Sequence, residues 1–235
     1  DFAASPTLSI TEQLETEKRI LRAKRNCNKF IAYFQAFTNT YGSVEHLRDL
    51  YMQAVNDPDV VIISIATRPD CLQPEILSLL AEINEKKTVW VELGLQTFQK
   101  SLFALHALSI KVIVHLILGL PHETREMMSA SVQAIANLPV WGIKLQLLHV
   151  LSGTDLAAYY EKTHFPVFSM DEYCEMIIDC LELLPPEMVI HRITGDGPKD
   201  LLIAPMWSTG KRTVLNQIHK YMKDHDLYQG KEYYG

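Results

Sequence analysis

The sequence has few cysteines, no long apolar run and no excess of positive charge. Its four cysteines, Cys27, Cys71, Cys174 and Cys180, form no close pair, which argues against a disulfide framework and fits a reducing compartment. No apolar run approaches the roughly 18 residues of a membrane helix, and the N-terminus has no basic-then-apolar signal pattern. We therefore expect a cytoplasmic protein without membrane contact.

Two further absences disfavour particular functions. The net charge of −6 argues against a general nucleic-acid surface, because such surfaces are basic. The H-x-H and H-E-x-x-H spacings of metal-dependent hydrolases do not occur in the sequence. What remains is a chain of 235 residues, a length that a single α/β barrel commonly takes.

Strand-like and helix-like patterns alternate along the chain. Short apolar or β-branched runs predict strands, and the segments between them have the period of amphipathic helices. The predicted strands cover residues 29–36, 60–66, 88–95, 111–118, 142–150 and 188–193. Most of these runs are apolar on both faces, as buried parallel strands are, so we predict an α/β fold with a partial TIM-type (β/α) barrel. We expect a single domain over residues 1–235, with 199–235 as a C-terminal helical extension.

Three helix starts have recognisable capping signals. Ser43 precedes an amphipathic segment as an N-cap residue, and Pro74 occupies an early helical position. Ser169 is followed three residues later by Glu172, which is the spacing of a capping box. These signals predict helices that begin directly after positions 43, 73 and 169.

The polar and glycine-containing segments lie where the predicted strands end. In a parallel barrel these ends share one face, and ligands bind there. The segment "HLILGLPHET" is an example, because Gly119 allows a turn or a close backbone approach and Pro121 stiffens the exit. The corresponding segments elsewhere are "FQAFTNTYG", "TRPDC", "GLQT", "HVLSGT" and "HRITGDGP". A plain turn explains any one of them, whereas the whole set favours a binding face.

These segments together resemble the radical S-adenosylmethionine (SAM) superfamily, and in particular its YhcC-like branch, which is related to the elongator catalytic subunit and to oxygen-independent coproporphyrinogen oxidase. The resemblance covers nearly the whole chain and rests on "YFQAFTNTY", "TRPDC", "VELGLQT", "HLILGLPHET", "LHVLSGT" and "IHRITGDGPKDLLIAPMW". It implies a partial barrel that uses a [4Fe-4S] cluster to cleave SAM reductively and form a 5′-deoxyadenosyl radical. An external one-electron donor such as flavodoxin or ferredoxin would serve this reaction.

The resemblance also implies that a Cys-x3-Cys-x2-Cys cluster loop precedes a "GDFA"-like stretch, and this chain begins at Asp1. None of its four cysteines replaces that trio, so we expect the first strand and the cluster loop to be missing and the 235 residues alone to be inactive. The connection over 97–110 is shorter than those over 37–59 and 119–141, which predicts that residues are also absent near 97–98.

The same resemblance assigns cofactor contacts to the strand ends. The implied SAM-binding residues are Gln35, Thr38, Asn39, Arg68, Gln96, Leu118, Gly119, His149 and Val150. Gln35, Thr38 and Asn39 match the family's second-strand motif and would bind the amino group of SAM. Arg68 would bind its carboxylate and Gln96 its ribose. Leu118, Gly119, His149 and Val150 would contact its adenine. The catalytic residues are unknown, and no metal ligand is assigned within the chain.

Several of these residues have ordinary structural alternatives. Arg68 is also placed to pair with Asp70, and Gln96 to satisfy loop backbone groups. His149 would contact substrate or transfer a proton. Glu92 lies inside a predicted strand, where a buried carboxylate needs a partner, and Arg68, Arg192 or a ribose would supply one.

The substrate is not identified by the sequence. The C-terminal segment 206–235 interleaves lysines with tyrosines, which favours either RNA contact or a solvated helix face. Two other function classes stay open, a noncatalytic barrel-derived binding scaffold and a TIM-barrel hydrolase or lyase.

Overall fold

The computed structural model describes residues 7–35, 37–94, 99–195 and 197–234. The chain forms two compact units, Asp1–Val114 and His115–Gly235. Gln96 and the predicted break near 97–98 lie outside the described residues. Among the helices of the described ranges, none has the length and apolar content to cross a membrane.

The fold class is α/β, as predicted. Six strands form one sheet in the order β1-β2-β3-β4-β5-β7, and the architecture is a partial TIM-type barrel of parallel strands. Strand β4, Lys111–Leu118, contains the boundary between the two units.

The first unit alternates helices and strands along the chain. Its elements are α1 Ile10–Lys24, β1 Phe30–Phe34, α2 Val44–Val55, β2 Val60–Thr67, a short 3-10 helix Pro69–Cys71, α3 Pro74–Lys86, β3 Thr88–Gly94 and α4 Gln99–Ala107. The predicted caps of two helices are confirmed, since the Ser43 side chain accepts from the backbone N–H of His46 and Pro74 is the first residue of α3. Between them the apolar faces of α2 and α3 bury Leu47, Tyr51 and Ile83.

Strand β1 departs from the expectation of two apolar, buried faces. Phe30 and Ala32 are buried, whereas Ile31 and Tyr33 are 47% and 40% exposed. In the described residues β1 is the terminal strand of the sheet order, and its Phe34 ring packs edge-on against Tyr51 of α2. Alternation of side chains along a strand then gives one packed face and one open face.

The second unit contains the remaining elements. They are α5 Arg125–Ala136, β5 Gly142–Leu147, β6 Val150–Leu151, α6 Asp155–Thr163, α7 Met170–Leu183, β7 Val189–Arg192, β8 Leu202–Ala204, a 3-10 helix Met206–Thr209 and α8 Lys211–Asp224. The capping box predicted for α7 is confirmed, with Ser169 and Glu172 each bonded to the other's backbone N–H.

The strand predicted over 142–150 is two strands. β5 ends at Leu147, and the backbone N–H of Leu148 donates a 3.0 Å hydrogen bond to the carbonyl of Leu118. β6 then pairs antiparallel with β8 in a separate two-stranded sheet. Residues 199–235 therefore contain a strand and a 3-10 helix as well as α8. The continuous apolar run hid this change of sheet, because β6 pairs with a segment some 50 residues later in the chain.

Candidate functional site

The loop after β1 is fixed to the ends of β1 and β2. The Asn39 amide donates hydrogen bonds of 2.9 Å to the carbonyls of Phe34 and Ala66, and Thr40 hydrogen-bonds to the hydroxyl of Thr67 and to the carbonyl of Cys71. Asn39 therefore has a structural role that the sequence did not indicate. Of its predicted companions, Thr38 is half-buried and Gln35 is exposed.

Arg68 follows β2 and forms a bidentate pair with Asp70. Its Nε lies 3.0 Å from Oδ1 and its Nη2 lies 2.6 Å from Oδ2. The two side chains are 65% and 59% exposed, so water competes with this pair and its net contribution to stability is small. The sequence offered Asp70 as an alternative partner for Arg68, and the structure contains that pair.

Glu92 is held on the face of the first-unit sheet that carries Tyr33. The Tyr33 hydroxyl donates to Oε2 and the Ser64 hydroxyl to Oε1, each at 2.7 Å. Tyr33 lies opposite Ser64 in the β1–β2 register, and Glu92 is two residues beyond the partner of Ser64 on β3, so all three share one face. Glu92 is only 4% exposed, and sequence reasoning missed both hydroxyl partners.

In the second unit, two backbone N–H groups of the turn after β4 bond to a carboxylate of the same turn. The N–H groups of Gly119 and Leu120 each donate a 3.1 Å hydrogen bond to Oε2 of Glu123. Gly119 has a φ of +82°, and a Cβ atom there would lie 2.9 Å from the Phe168 ring. This explains the glycine in "GLPHET", because the position requires both a left-handed backbone and close contact with an aromatic ring. Leu118 is fully buried.

His149 is held by a short chain of hydrogen bonds. The Ser208 hydroxyl donates to the carbonyl of Pro205 at 2.8 Å, so its oxygen accepts from Nε2 of His149 at 3.0 Å, and we assign the imidazole proton to Nε2 on that basis. A Cβ at Gly195 would lie 2.1 Å from Cε1 of His149, so the ring occupies space that only glycine leaves. Burial, followed by the positive charge of Lys211, lowers the pKa of His149.

Val150, the last predicted cofactor residue, is fully buried in β6 opposite Ala204. A cavity of about 420 Å³ lies at the N-terminal ends of β5 and β7. It is lined by residues 136–141, by 185, 187 and 188, and by Tyr233. It adjoins none of the predicted cofactor residues of the second unit.

The cysteines of the described residues do not fit a [4Fe-4S] cluster. Burial raises the pKa of Cys174 to about 11 and that of Cys180 to about 12, so both thiols stay protonated in α7 near neutral pH. Cys27 lies between α1 and β1, and Cys71 ends the 3-10 helix after β2. Within the described ranges, no three His, Cys, Asp or Glu residues are grouped as a metal site.

Comparison with known proteins gives relatives over most of the chain. A Radical_SAM C-terminal domain model matches residues 140–224. YtqA of Bacillus subtilis (strain 168) is 44% identical over 98% of this chain and 77% of its own length. YhcC of Escherichia coli (strain K12) is 32% identical over 93% of this chain and 76% of its own length.

A solved structure has the same fold. The archaeal Elp3 of Methanocaldococcus infernus, studied with an N-terminal deletion, superposes with a TM-score of 0.72 at 17% identity. The match covers 94% of this chain, which spans 59% of that Elp3 chain. By its sequence relatives, the chain belongs to the YhcC-like branch of the radical SAM superfamily.

Proposed function

We propose that this chain is the SAM-binding and substrate-binding barrel of a radical SAM enzyme. The observation that carries the proposal is membership of the YhcC-like branch, with a radical SAM domain model matching residues 140–224. In this superfamily a [4Fe-4S] cluster supplies the electron that cleaves SAM and releases a 5′-deoxyadenosyl radical. The described residues do not fit the cluster, and the part proposed for them is to bind and orient SAM and the substrate.

The residues that follow β1 and β2 would bind the methionine part of SAM. Arg68 is the natural partner of the carboxylate, because its planar fork of donors matches two oxygens. Its present partner Asp70 is exposed, so exchanging one carboxylate for another costs little. Gln35 and Thr38 lie in the adjoining loop after β1, where they would receive the amino group. Gln96 would contact the ribose.

The turn after β4 and the residues after β5 would contact the adenine. The N–H of Gly119 is bonded to Glu123, so the backbone of this turn would contact the adenine by packing against it and not by donating a hydrogen bond from Gly119. Leu118 and Val150 are fully buried, whereas Gly119 and His149 are partly exposed. His149 is the one predicted adenine contact with a polar side chain, and its ring is already fixed by Ser208.

Binding of S-adenosylhomocysteine by calorimetry tests the SAM site without any cluster. We expect Arg68→Ala to weaken binding about tenfold, the size of one lost charge-assisted interaction. Arg19→Ala is the matched control, because Arg19 is an exposed arginine of α1 in the same unit. Equal affinities for the wild type and Arg68→Ala would remove Arg68 from the site.

Radical chemistry is tested with protein expressed from its complete reading frame. Anaerobic loading with iron and sulfide should give the broad visible absorbance of an iron–sulfur cluster. Reduction of the loaded protein in the presence of SAM should then release 5′-deoxyadenosine, measured by mass spectrometry. Absence of both iron uptake and SAM binding would instead support a noncatalytic scaffold. The one-electron donor, an RNA substrate and the inactivity of the 235 residues alone stay predictions.

A further inference from the structure

Phe37, in the loop after β1, has an exposed ring on a strained backbone. Its side chain is 98% exposed, and its φ of +60° lies in the left-handed region. That region is disfavoured for a bulky side chain, and glycine is the residue that usually occupies it. Since the ring is not buried, packing of the ring does not offset this strain. Strained residues of this kind are concentrated at ligand sites, where the surrounding structure holds them in place.

The loop that carries Phe37 is fixed from below by Asn39. The side-chain amide of Asn39 bonds to the carbonyls of Phe34 and Ala66, each at 2.9 Å. The same amide nitrogen lies 3.4 Å from the carbonyl of Phe37. The carbonyl of Asn39 in turn accepts a 2.6 Å hydrogen bond from the hydroxyl of Tyr51, which is buried in α2. The loop is therefore attached to the sheet and to α2, and a ring that is held in place contacts a ligand with little loss of entropy.

These bonds place Phe37 beside the residues proposed for the methionine part of SAM. Thr38 is the next residue in the chain. The carbonyls of Phe37 and Ala66 lie around one amide nitrogen, and Arg68 is the second residue after Ala66. In the methionine part of SAM, the carboxylate, the amino group and the sulfur are only a few bonds apart. A ligand whose carboxylate pairs with Arg68 therefore has its sulfur in the corner that contains Phe37.

We propose that the ring of Phe37 contacts the sulfonium group of SAM and selects SAM over S-adenosylhomocysteine. The sulfonium is a cation, and the negative face of an aromatic ring attracts cations. S-adenosylhomocysteine has a neutral thioether at the same position. Residues 35–43 contain no carboxylate, so no negative side chain of this loop attracts the sulfonium instead. This contact rests on the proposed function, because it needs SAM as the ligand.

Parallel titrations with SAM and with S-adenosylhomocysteine test the contact. The protein is expressed from its complete reading frame and titrated by calorimetry without a reductant, so that SAM is not cleaved. We expect Phe37→Leu, which keeps an apolar side chain, to weaken SAM binding about fivefold and S-adenosylhomocysteine binding less than about twofold. Phe37→Trp should retain the preference for SAM, because indole is the most effective ring for this interaction.

Tyr41→Leu is the matched control. Tyr41 is 82% exposed in the same loop, so the variant also removes an exposed ring, and it should change either affinity less than about twofold. Circular dichroism checks that each variant is folded.

Phe37→Gly separates binding from folding. Glycine adopts a φ of +60° without strain, so this variant should melt at or above the temperature of the wild type while it loses the preference for SAM. A clearly lower melting temperature together with an unchanged preference would assign the ring to the stability of the loop and overturn the proposal.

Three results of the titrations would also overturn it. They are equal losses of SAM and S-adenosylhomocysteine binding in Phe37→Leu, unchanged binding of both ligands in that variant, or an equal loss of SAM binding in Tyr41→Leu. In each of these cases both ligands bind the wild type, so the SAM site itself is retained. Binding of neither ligand by the wild type would remove the proposed function and this contact together.

Discussion

The hydroxyl of Tyr33 donates a 2.7 Å hydrogen bond to the carboxylate of Glu92, and this contact joins the first strand of the sheet to the third. The hydroxyl of Ser64, on the strand between them, donates to the other carboxylate oxygen. A carboxylate that is 4% exposed is thereby stabilised by donors from two neighbouring strands. The network lies on the face of the sheet opposite to the one where Phe34 packs on Tyr51 of α2.

Glu92→Gln should destabilise the protein, because the amide has one acceptor oxygen and no charge, so one of the two hydroxyls has to accept from the amide N–H instead of donating to a carboxylate oxygen. We expect the free energy of unfolding to fall by about 1 to 3 kcal/mol, measured by urea denaturation. Ser131→Ala is the control, since the Ser131 hydroxyl donates to the carbonyl of Met127 one turn earlier in α5. A Glu92→Gln variant as stable as the wild type would contradict a stabilising role for the carboxylate.

Gly119→Ala should cost more stability than Gly153→Ala. Both glycines have φ near +80°, but a new Cβ would lie 2.9 Å from Phe168 at position 119 and would meet nothing within 4 Å at position 153. The backbone strain is therefore matched, and the difference isolates the contact with the ring. We expect an additional loss of about 1 to 2 kcal/mol for Gly119→Ala in chemical denaturation. Equal losses would show that Phe168 moves aside freely.

Lys18→Met should loosen the attachment of α1. The Lys18 ammonium lies 2.6 Å from Glu15 and 2.7 Å from Asp57, and the side chains of Lys18 and Asp57 are 5% and 8% exposed. Removing it leaves Asp57 buried without this partner, which we expect to cost about 2 to 3 kcal/mol at pH 7. The exposed Lys24 of the same helix provides the control, Lys24→Met.

The cost of Lys18→Met should also depend on pH. Burial raises the pKa of Asp57, but the hydrogen bonds from Lys18 and from the backbone N–H of Asp59, with the charge of Lys18, together outweigh burial, so the folded-state pKa lies below the usual value. A lowered carboxyl pKa stabilises the folded protein above about pH 4 and loses that effect as the pH falls through the folded value. The difference between wild type and variant should therefore shrink in acid, and a difference that stays constant to pH 2 would argue against the ion pair.

Lys211→Met should raise the pKa of His149, since burial and then Lys211 lower it in the wild type. A titration of the imidazole followed by NMR measures the pKa of His149 directly. Lys220→Met, which removes an exposed lysine of the same helix, is the control. The lowered pKa makes the unfolded state bind more protons, so this histidine destabilises the protein as the pH falls below about 6.5. The variant should lose part of that acid sensitivity. An unchanged His149 pKa would place Lys211 too far away to act.

The strand and helix patterns were visible in the sequence because they depend on residues that are close together in the chain. The apolar runs at 60–66 and 111–118 became β2 and β4 with nearly the predicted bounds, and the capping box at Ser169 formed as its spacing indicated. The strand ends at Arg68 and Gly119 were likewise located, since parallel strands and turn residues have short sequence signatures.

Partners distant in the chain were decided only by the tertiary structure. Glu92 was recognised as needing a partner, yet its hydroxyl donors on β1 and β2 were not foreseen. The Ser208 that orients His149 lies 59 residues away, and the shift of register that pairs Lys144 of β5 with Arg192 of β7 has no local signature. Periodicity specifies which residues form strands and helices, whereas the register between strands depends on how those elements pack, and register selects the neighbours of each polar side chain.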